Sequence, residues 1–345
     1  METLDIRPII AAVKRTVEIH ELEKEGQYCR WLWQNKNNSR ELGVNEYGCA
    51  DAANILYTIN DFYFDDEIRK ARISELQALQ NSETGMFAER THHNIHTTAH
   101  CIAALQLFDT KPLYPIVGLH KYYDKAELYK LLDSLDWKGD PWSNSHKGAG
   151  VYAALVNADE MTEDFQKNYF DWFWENASPD VGFWKKGYVE RAPYSSERTV
   201  EGQGSVYSYM AGGFHYMFNH EYAKMPLRYP DKIIDSCIRM YEENALPPYF
   251  AKQAGFIEID WLYCINRASR QTAHRKEEVV ALIENFAHRF VSYLKKLSYD
   301  TDDGFNDLHM LFGTVCALAE LQSALPGKII TEKPLRLVLD RRPFI

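Results

Sequence analysis

Apolar residues recur at helical spacing through most of the chain, and the alternation typical of β-strands is sparse. About twelve helical segments can be distinguished, and they alternate between two kinds. Members of the first kind are amphipathic, with a charged face opposite the apolar one. This pattern is typical of helices that expose one side to solvent. They are predicted within 7–33 and at 67–79, 125–135, 163–177, 231–245 and 277–297.

Members of the second kind carry few charges and many small residues, so they are apolar nearly all round. Helices of this kind are buried, and their Ala and Gly residues allow close approach to neighbouring helices. They are predicted at 46–60, 96–108, 146–157, 205–218, 259–269 and 308–322.

A glycine stands shortly before each helix of the second kind. Glycine ends helices because it accepts positive φ without a steric penalty. Six glycines in register with six alternations of helix type indicate one helical hairpin repeated six times, every 42 to 55 residues or so, with an insertion between Gly182 and Gly255. The six are Gly43, Gly85, Gly139, Gly182, Gly255 and Gly304.

The segments QALQNSETGMF (77–87) and SYLKKLSYDTDDGF (292–305) resemble the outer helix, Gly-aromatic turn and inner helix of the α/α-toroid superfamily. That superfamily includes six-hairpin glycosidases, several polysaccharide lyases and sugar epimerases, and the squalene–hopene cyclase and protein prenyltransferase group. The resemblance spans most of the chain but matches no catalytic signature of a particular family. It implies an all-α fold, a single (α/α)6 barrel over residues 1–345, with the site at the rim where the inner helices begin.

Composition and charge narrow the class of protein further. The net charge is −10 and the basic residues are interspersed with acids, which argues against a nucleic-acid partner. No apolar run approaches the roughly 20 residues that span a bilayer, and the first 26 residues lack the pattern of a signal peptide. Six scattered cysteines are typical of buried free thiols in a reducing compartment. We therefore expect a cytoplasmic protein without a membrane partner, of undetermined oligomeric state.

Polar residues gather at the predicted starts of the inner helices. Helix N-termini present unpaired N–H groups that favour anions and polarised oxygens, so a rim of six such starts suits a ligand. Some of these residues can instead be N-caps, namely Asn45, Asn144 and Asp307.

His93, His96 and His100 are spaced i, i+3, i+7 and share one face if the helix already includes residue 93. Three imidazoles on one face can bind Zn²⁺, yet neither HExxH nor a carboxylate-bearing variant of it occurs. Hydrogen bonding to substrate, acid–base catalysis and a purely structural role are the other interpretations. We expect no metal and no other cofactor.

Glycoside hydrolysis requires two carboxyl groups, one protonated to assist the leaving group and one to activate water or attack. Asp260 is the strongest candidate for the general acid, because its apolar helix would raise its pKa and Trp261 beside it offers a stacking face. Asp260 can also be read as an N-cap. The other candidates by position are Glu46, Asp51, Glu258 and Asp307.

The insertion at 185–204 has no helical pattern, and we expect it to form a lid-like loop. Arg191 and Arg198 within it can grip a carboxylate or phosphate of the ligand, or pair with Glu190 and Glu197.

These arguments assign the following candidate residues. The catalytic candidates are Asp260, His96, His146 and Glu258, and the substrate-binding candidates are Glu46, His93, His100, Trp142, Trp184, Arg191, Arg198, Tyr209, Trp261 and His309.

The predicted function is a carbohydrate-active enzyme, a hydrolase or a lyase or epimerase, acting on a small oligosaccharide or uronide. A terpenoid-cyclase-like enzyme is an alternative, because the 14% of aromatic residues suits cation stabilisation, although the DxDD acid motif is missing. A non-catalytic toroid that binds glycans or peptides is the third interpretation.

Overall fold

The computed structural model describes residues 2–184 and 206–345, and these ranges are predominantly helical. The all-α prediction is therefore confirmed. Two strands of two residues each, Leu4–Asp5 and Ile329–Ile330, pair in parallel. No helix within the described ranges is both long enough and apolar enough to cross a membrane.

Fourteen α-helices and one 3₁₀ turn (Val117–Tyr123) are described. The α-helices are α1 (Arg7–Ile19), α2 (Glu46–Thr58), α3 (Asp66–Ala78), α4 (Asn94–Leu107), α5 (Lys125–Ser134), α6 (Pro141–Asn157), α7 (Glu163–Asn176), α8 (Val206–Ala223), α9 (Pro230–Glu242), α10 (Ile257–Ala268), α11 (Lys276–Leu294), α12 (Asp303–Asn306), α13 (Leu308–Ala324) and α14 (Val338–Arg341).

Six of these helices pack in a ring. Helix α2 contacts α4, α4 contacts α6, α6 contacts α8, α8 contacts α10, α10 contacts α13, and α13 contacts α2 again. These are the six apolar helices predicted from the sequence, and we call them the inner helices. Burial separates them from the amphipathic ones, since most of α13 is buried whereas α3 buries only Leu76.

The inner helices begin at side chains that cap them. Asn45 accepts hydrogen bonds from the backbone N–H groups of Tyr47 and Gly48, and Asp307 accepts one from His309, which confirms both predicted N-caps. Asn144 is not a cap, because α6 starts one turn earlier with Pro141 in its first turn and Asp140 as its N-cap.

The chain after α13 runs across the C-terminal ends of the inner helices. The backbone N–H of Arg336 donates to the carbonyl oxygen of Thr58, and Asn157 Nδ2 donates to that of Pro343. Arg267, in the last turn of α10, binds Asp340. Because these anchors lie at the ends of α2, α6 and α10, residues 336–343 cover this end of the ring, and the two residues that follow enter it, where Phe344 packs against His96.

The predicted glycines serve close packing as well as turning. Gly85 and Gly182 have positive φ, as expected of turn glycines. A Cβ atom on Gly255 would instead lie 2.6 Å from Met310 Cε, and one on Gly304 would lie 2.5 Å from Ala254 Cβ. Tight contacts between elements therefore explain part of the repeated pattern.

We expect Gly85→Ala to be more destabilising than an alanine at another left-handed position. Gly85 has φ +70°, and its Cβ would lie 1.9 Å from the carbonyl oxygen of Pro115. Gly327 has φ +75° with nothing within 4 Å of its Cβ position, so Gly327→Ala measures backbone strain alone, about 1 kcal/mol. The collision should add about 2 kcal/mol for Gly85→Ala in urea denaturation. Equal losses in the two variants would contradict this packing.

Candidate functional site

A cavity of about 210 Å³ lies at the end of the ring where the inner helices begin. Trp142, Phe256 and Asp260 line it from the starts of α6 and α10, Arg30 from the segment before α2, and Ile345 from the residues that follow the covering segment. Five of the chain's twelve histidines also face it. They are His92, His96, His146, His215 and His309.

The structure brings five of the predicted site residues together around this cavity. They come from four inner helices that are far apart in sequence, as the predicted rim requires. The five are His96, Trp142, His146, Asp260 and His309.

Other candidates lie elsewhere. Trp184 and Trp261 are fully buried and use their indole N–H groups on the carbonyl oxygens of Phe173 and Cys237, so they pack the core and line no cavity. Tyr209 is buried within α8, Glu46 is partly buried at the start of α2, and neither lines the cavity. Arg191 and Arg198, with the expected lid at 185–204, lie outside the described residues.

Histidine 93 does not share a face with His96 and His100. Helix α4 begins at Asn94, and His93 is its exposed N-cap, whose Nδ1 accepts from the backbone N–H of Ile95. His92 takes the expected place, since its ring stacks on His96 with centroids 4.7 Å apart. The third member, His100, stacks on His96 from below at 6.1 Å but is completely buried.

Asp51 joins two histidines beneath the cavity. Its carboxylate accepts from His100 Nε2 at 2.7 Å and from His309 Nδ1 at 3.0 Å. Burial alone would raise the pKa of Asp51, but these two histidines outweigh it and hold the pKa well below its usual range. Because Asp51 is ionised, it fixes the N–H of His309 on Nδ1 and leaves Nε2 as an acceptor toward the cavity.

His146 and His96 are neutral bases at the cavity wall. Their ring centroids lie 4.4 Å apart, and burial followed by the neighbouring histidines lowers the pKa of each well below its usual value. His96 Nδ1 is 2.6 Å from Tyr47 Oη, whereas no side chain in the described ranges hydrogen-bonds the ring of His146. His146 therefore has its ring nitrogens free for a ligand.

Asp260 is a buried acid without a partner. It is 1% exposed, and neither carboxyl oxygen has a hydrogen-bond partner in the described part of the chain. Burial, assisted by the charge of Glu258, raises the pKa of Asp260 well above its usual value, which favours its protonated form. The N-cap interpretation is wrong, because Asp260 lies inside α10, which begins at Ile257.

Glu258 belongs to a different environment. Its carboxylate accepts from the backbone N–H of Ala251 at 2.8 Å and from Gln253 Nε2 at 3.5 Å, so it braces the preceding loop and does not line the cavity. Burial raises the pKa of Glu258 to about 7.

The chain matches no protein-family model, no curated protein and no solved structure. The site is therefore interpreted from its own geometry.

The cation at the cavity is Arg30. It is buried, forms a two-pronged ion pair with Asp307, and donates from Nη1 to Thr91 Oγ1 at 2.9 Å. Thr91 in turn donates to Glu89 from its hydroxyl group and its backbone N–H. The interaction with His92, whose Nδ1 lies 3.8 Å away, and these two hydrogen bonds outweigh burial and lower the pKa of Glu89 to about 2.

Sequence reasoning missed Arg30, His92, His215 and Phe256 as lining residues. Arg30 has no helical periodicity around it, and His215 lies in the middle of α8 instead of at its start. His92 had a usable signal, since it is spaced i, i+4, i+8 with His96 and His100.

Proposed function

We propose that the ring of six inner helices and the helices around it form an (α/α)6 toroid. The closed circuit of contacts, the alternation of buried and amphipathic helices, and the gathering of polar side chains at one end support this architecture. The covered end, crossed by residues 336–343, would leave the end with the cavity as the working face.

Within this fold we propose an enzyme that transfers protons on a small hydroxylated molecule, such as a sugar or uronide. One observation carries the proposal: a protonated acid, Asp260, and an unprotonated base, His146, line the same cavity. Environments that push two titratable groups to opposite protonation states assign the acid and the base of a reaction. His146 would remove a proton from the carbon next to a carboxylate or carbonyl group, and Asp260 would protonate the departing oxygen or the opposite face of that carbon.

The carboxyl groups favour a lyase or epimerase over a glycosidase. Hydrolysis by the usual route needs two carboxyl groups facing one bond. Asp260 supplies the only side-chain carboxyl group among the described lining residues, and the neighbouring Glu258 is occupied by its loop. A histidine base paired with a carboxylic acid is sufficient for proton abstraction and return.

The size and lining of the cavity indicate the class of substrate. A cavity of about 210 Å³ is larger than the roughly 150 Å³ that accommodates a benzene ring, so its size suits a single sugar ring. Trp142 and Phe256 offer flat faces, and the histidines offer hydrogen-bond donors and acceptors for hydroxyl groups. The same imidazoles disfavour a terpenoid cyclase, because neutral ring nitrogens would capture a carbocation.

The test is incubation of the protein with uronic acids, short uronides and neutral sugars in D₂O, followed by NMR and ultraviolet absorbance. An epimerase incorporates deuterium at carbon, and a lyase produces a conjugated double bond that absorbs in the ultraviolet. A hydrolase gives a new reducing end with neither signal, and that result would replace the proposed chemistry.

We expect Asp260→Asn to lower the turnover found in this screen by a factor of at least about 100, because an amide cannot deliver the proton. Asp171→Asn is the matched control, since Asp171 lies on the outer surface of α7 in an exposed pair with Lys167. Turnover in Asp260→Asn equal to that of the control would remove Asp260 from the mechanism.

A further inference from the structure

Three histidines converge on one point of the cavity wall. His92 immediately precedes the N-cap of α4, His96 lies in the first turn of that helix, and His309 lies at the start of α13. One ring nitrogen from each lies within 4.8 Å of the other two. We call these residues the histidine triad.

Each ring of the triad is held through Nδ1, and the first case is His92. Its Nδ1 lies 2.7 Å from Thr91 Oγ1, and that hydroxyl donates its own proton to Glu89 Oε2. Thr91 Oγ1 can therefore only accept from His92, which places the imidazole proton on Nδ1. The nitrogen of His92 with a free lone pair is Nε2.

The contacts of the other two rings are compatible with the same tautomer. Asp51 accepts the Nδ1 proton of His309 and leaves Nε2 free. Tyr47 Oη engages Nδ1 of His96 at 2.6 Å and also contacts Thr97 Oγ1 at 3.3 Å. A tyrosine proton directed at Thr97 lets the tyrosine oxygen accept from His96. Carboxylate or hydroxyl partners behind each imidazole are the arrangement that orients histidine ligands of metals.

Fixed charges around the triad favour a divalent cation. Glu89, Asp51 and Asp307 are carboxylates in the hydrogen-bond networks behind the rings, and Arg30 is the cation that binds Asp307. Arg342 is a second buried cation of this group, linked to Asp51 through Asn54. Apart from the histidines, the group therefore carries an excess of one negative charge, which favours the binding of a cation.

We propose that His92, His96 and His309 bind one divalent transition-metal ion through their Nε2 atoms, with a fourth position open to the cavity. Three imidazoles with one open position are typical of catalytic Zn²⁺. Nitrogens bound to one zinc lie about 3.4 Å apart. Side-chain rotations that move the ring nitrogens by about an ångström would therefore bring the three rings into coordinating positions. The open position would take water or an oxygen of the substrate.

A second group of close donors, Asp51, His100 and His309, is the support of this site and not a competing one. Its atoms already form hydrogen bonds of 2.7 and 3.0 Å with one another, and Asp51 and His100 are fully buried beneath the cavity.

The first test is metal binding by the full chain after removal of metal with a chelator. Isothermal titration with ZnCl₂ should give one ion per chain. Titration with CoCl₂ should give the intense visible absorption of four-coordinate Co²⁺. Less than about one-fifth of an ion per chain, or the weak spectrum of six-coordinate Co²⁺, would overturn the proposal.

Two substitutions with one control locate the ion. His309→Ala should weaken Zn²⁺ binding at least 100-fold. His93→Asn should leave the affinity unchanged, because this neighbouring histidine faces solvent and asparagine is itself a good N-cap for α4. Equal affinity in wild type and His309→Ala would place the ion elsewhere and overturn the assignment.

Asp51→Asn keeps the proposal testable if His309→Ala fails to fold. Asp51 Oδ1 accepts hydrogen bonds from His100 and Asn54, whereas Oδ2 accepts one from His309 alone. In Asp51→Asn the amide oxygen would keep the two donors, so the NH₂ group would face His309. His309 would then carry its proton on Nε2, and the affinity for Zn²⁺ should fall 10- to 100-fold while the protein keeps its folded structure. Unchanged affinity would contradict the role of Nε2. All these measurements are made without substrate, so their outcome is independent of the proposed proton-transfer chemistry.

Discussion

The metal-free protein is expected to lose about 6 kcal/mol of unfolding free energy between pH 7 and pH 5. Five histidines keep strongly lowered pKa values in the folded state. Burial sets the pKa of His215 and His309 to about 3 and that of His220 to about 4, and holds His96 and His146 well below their usual value. The loss is comparable with the whole stability of an ordinary domain.

The sign follows from proton uptake on unfolding. Below pH 6.5 an unfolded histidine binds a proton that its buried counterpart does not, so each of the five removes about 2 kcal/mol by pH 5. Glu258 and Asp260 act in the opposite direction, because their raised pKa values keep protons in the folded state that the unfolded chain releases. On unfolding at pH 5, the five histidines take up five protons and the two carboxyl groups release two. The net uptake of three protons gives the figure of about 6 kcal/mol.

Urea denaturation at pH 7, 6 and 5 measures this loss directly. His220→Gln provides the internal control, because His220 lies away from the cavity, stacked on Trp184 with its Nδ1 bonded to the carbonyl oxygen of Tyr216. The variant should recover about 2 kcal/mol of the drop between pH 7 and 5. Stability that does not change over this range would show that the histidines are protonated in the folded protein.

Arg267→Met is expected to cost about 3–5 kcal/mol of unfolding free energy at pH 7. The guanidinium is buried and binds both carboxylate oxygens of Glu320 at 2.7 Å, while Nη1 binds Asp340. Its removal leaves Glu320 as a buried charge that Asn266 and the more distant Arg270 cannot compensate. Arg267 also anchors the covering segment to α10, so the floor of the cavity should loosen in the same variant.

Arg270→Met is the matched control, because Arg270 follows on the same stretch of chain, is 39% exposed, and reaches Glu320 only at 3.7 Å. It should cost less than about 1 kcal/mol in urea denaturation. The double variant Arg267→Met and Glu320→Leu should regain most of the loss, since it removes both buried charges. Similar losses for Arg267→Met and Arg270→Met would contradict the buried ion pair.

Periodicity and small-residue content were sufficient to predict the inner helices. The predicted segment 46–60 is observed as Glu46–Thr58 and 308–322 as Leu308–Ala324, because few polar residues interrupt either apolar pattern. The predicted buried free thiols are confirmed as well, since all six cysteines are buried and unpaired. The predicted start of α6 at residue 146 was wrong, because the helix begins at Pro141, more than a full turn earlier.

Helix phase decided which predicted site residues face the cavity. His92 and His93 precede the first residue of α4, so the extended backbone at the N-cap separates exposed His93 from His92 on the cavity wall. Within a helix, a shift of one residue rotates a side chain by about 100°. The same rotation turns Trp261 toward the outer aromatic core while its neighbour Asp260 faces inward. Arg30 and Ile345 reach the cavity through segments of irregular structure, and only tertiary packing determines their positions.

The hydrogen bond between Asp51 and His309 joins residues 258 positions apart in the sequence. During translation α2 leaves the ribosome long before α13 does, and until then the carboxylate of Asp51 and the apolar sides of α2 have no partner on that side. Ribosome-bound chains shorter than this span should therefore expose the apolar faces of α2 and depend on chaperones. The cavity would be assembled, and first able to take a ligand, only as one of the last events in the maturation of the protein.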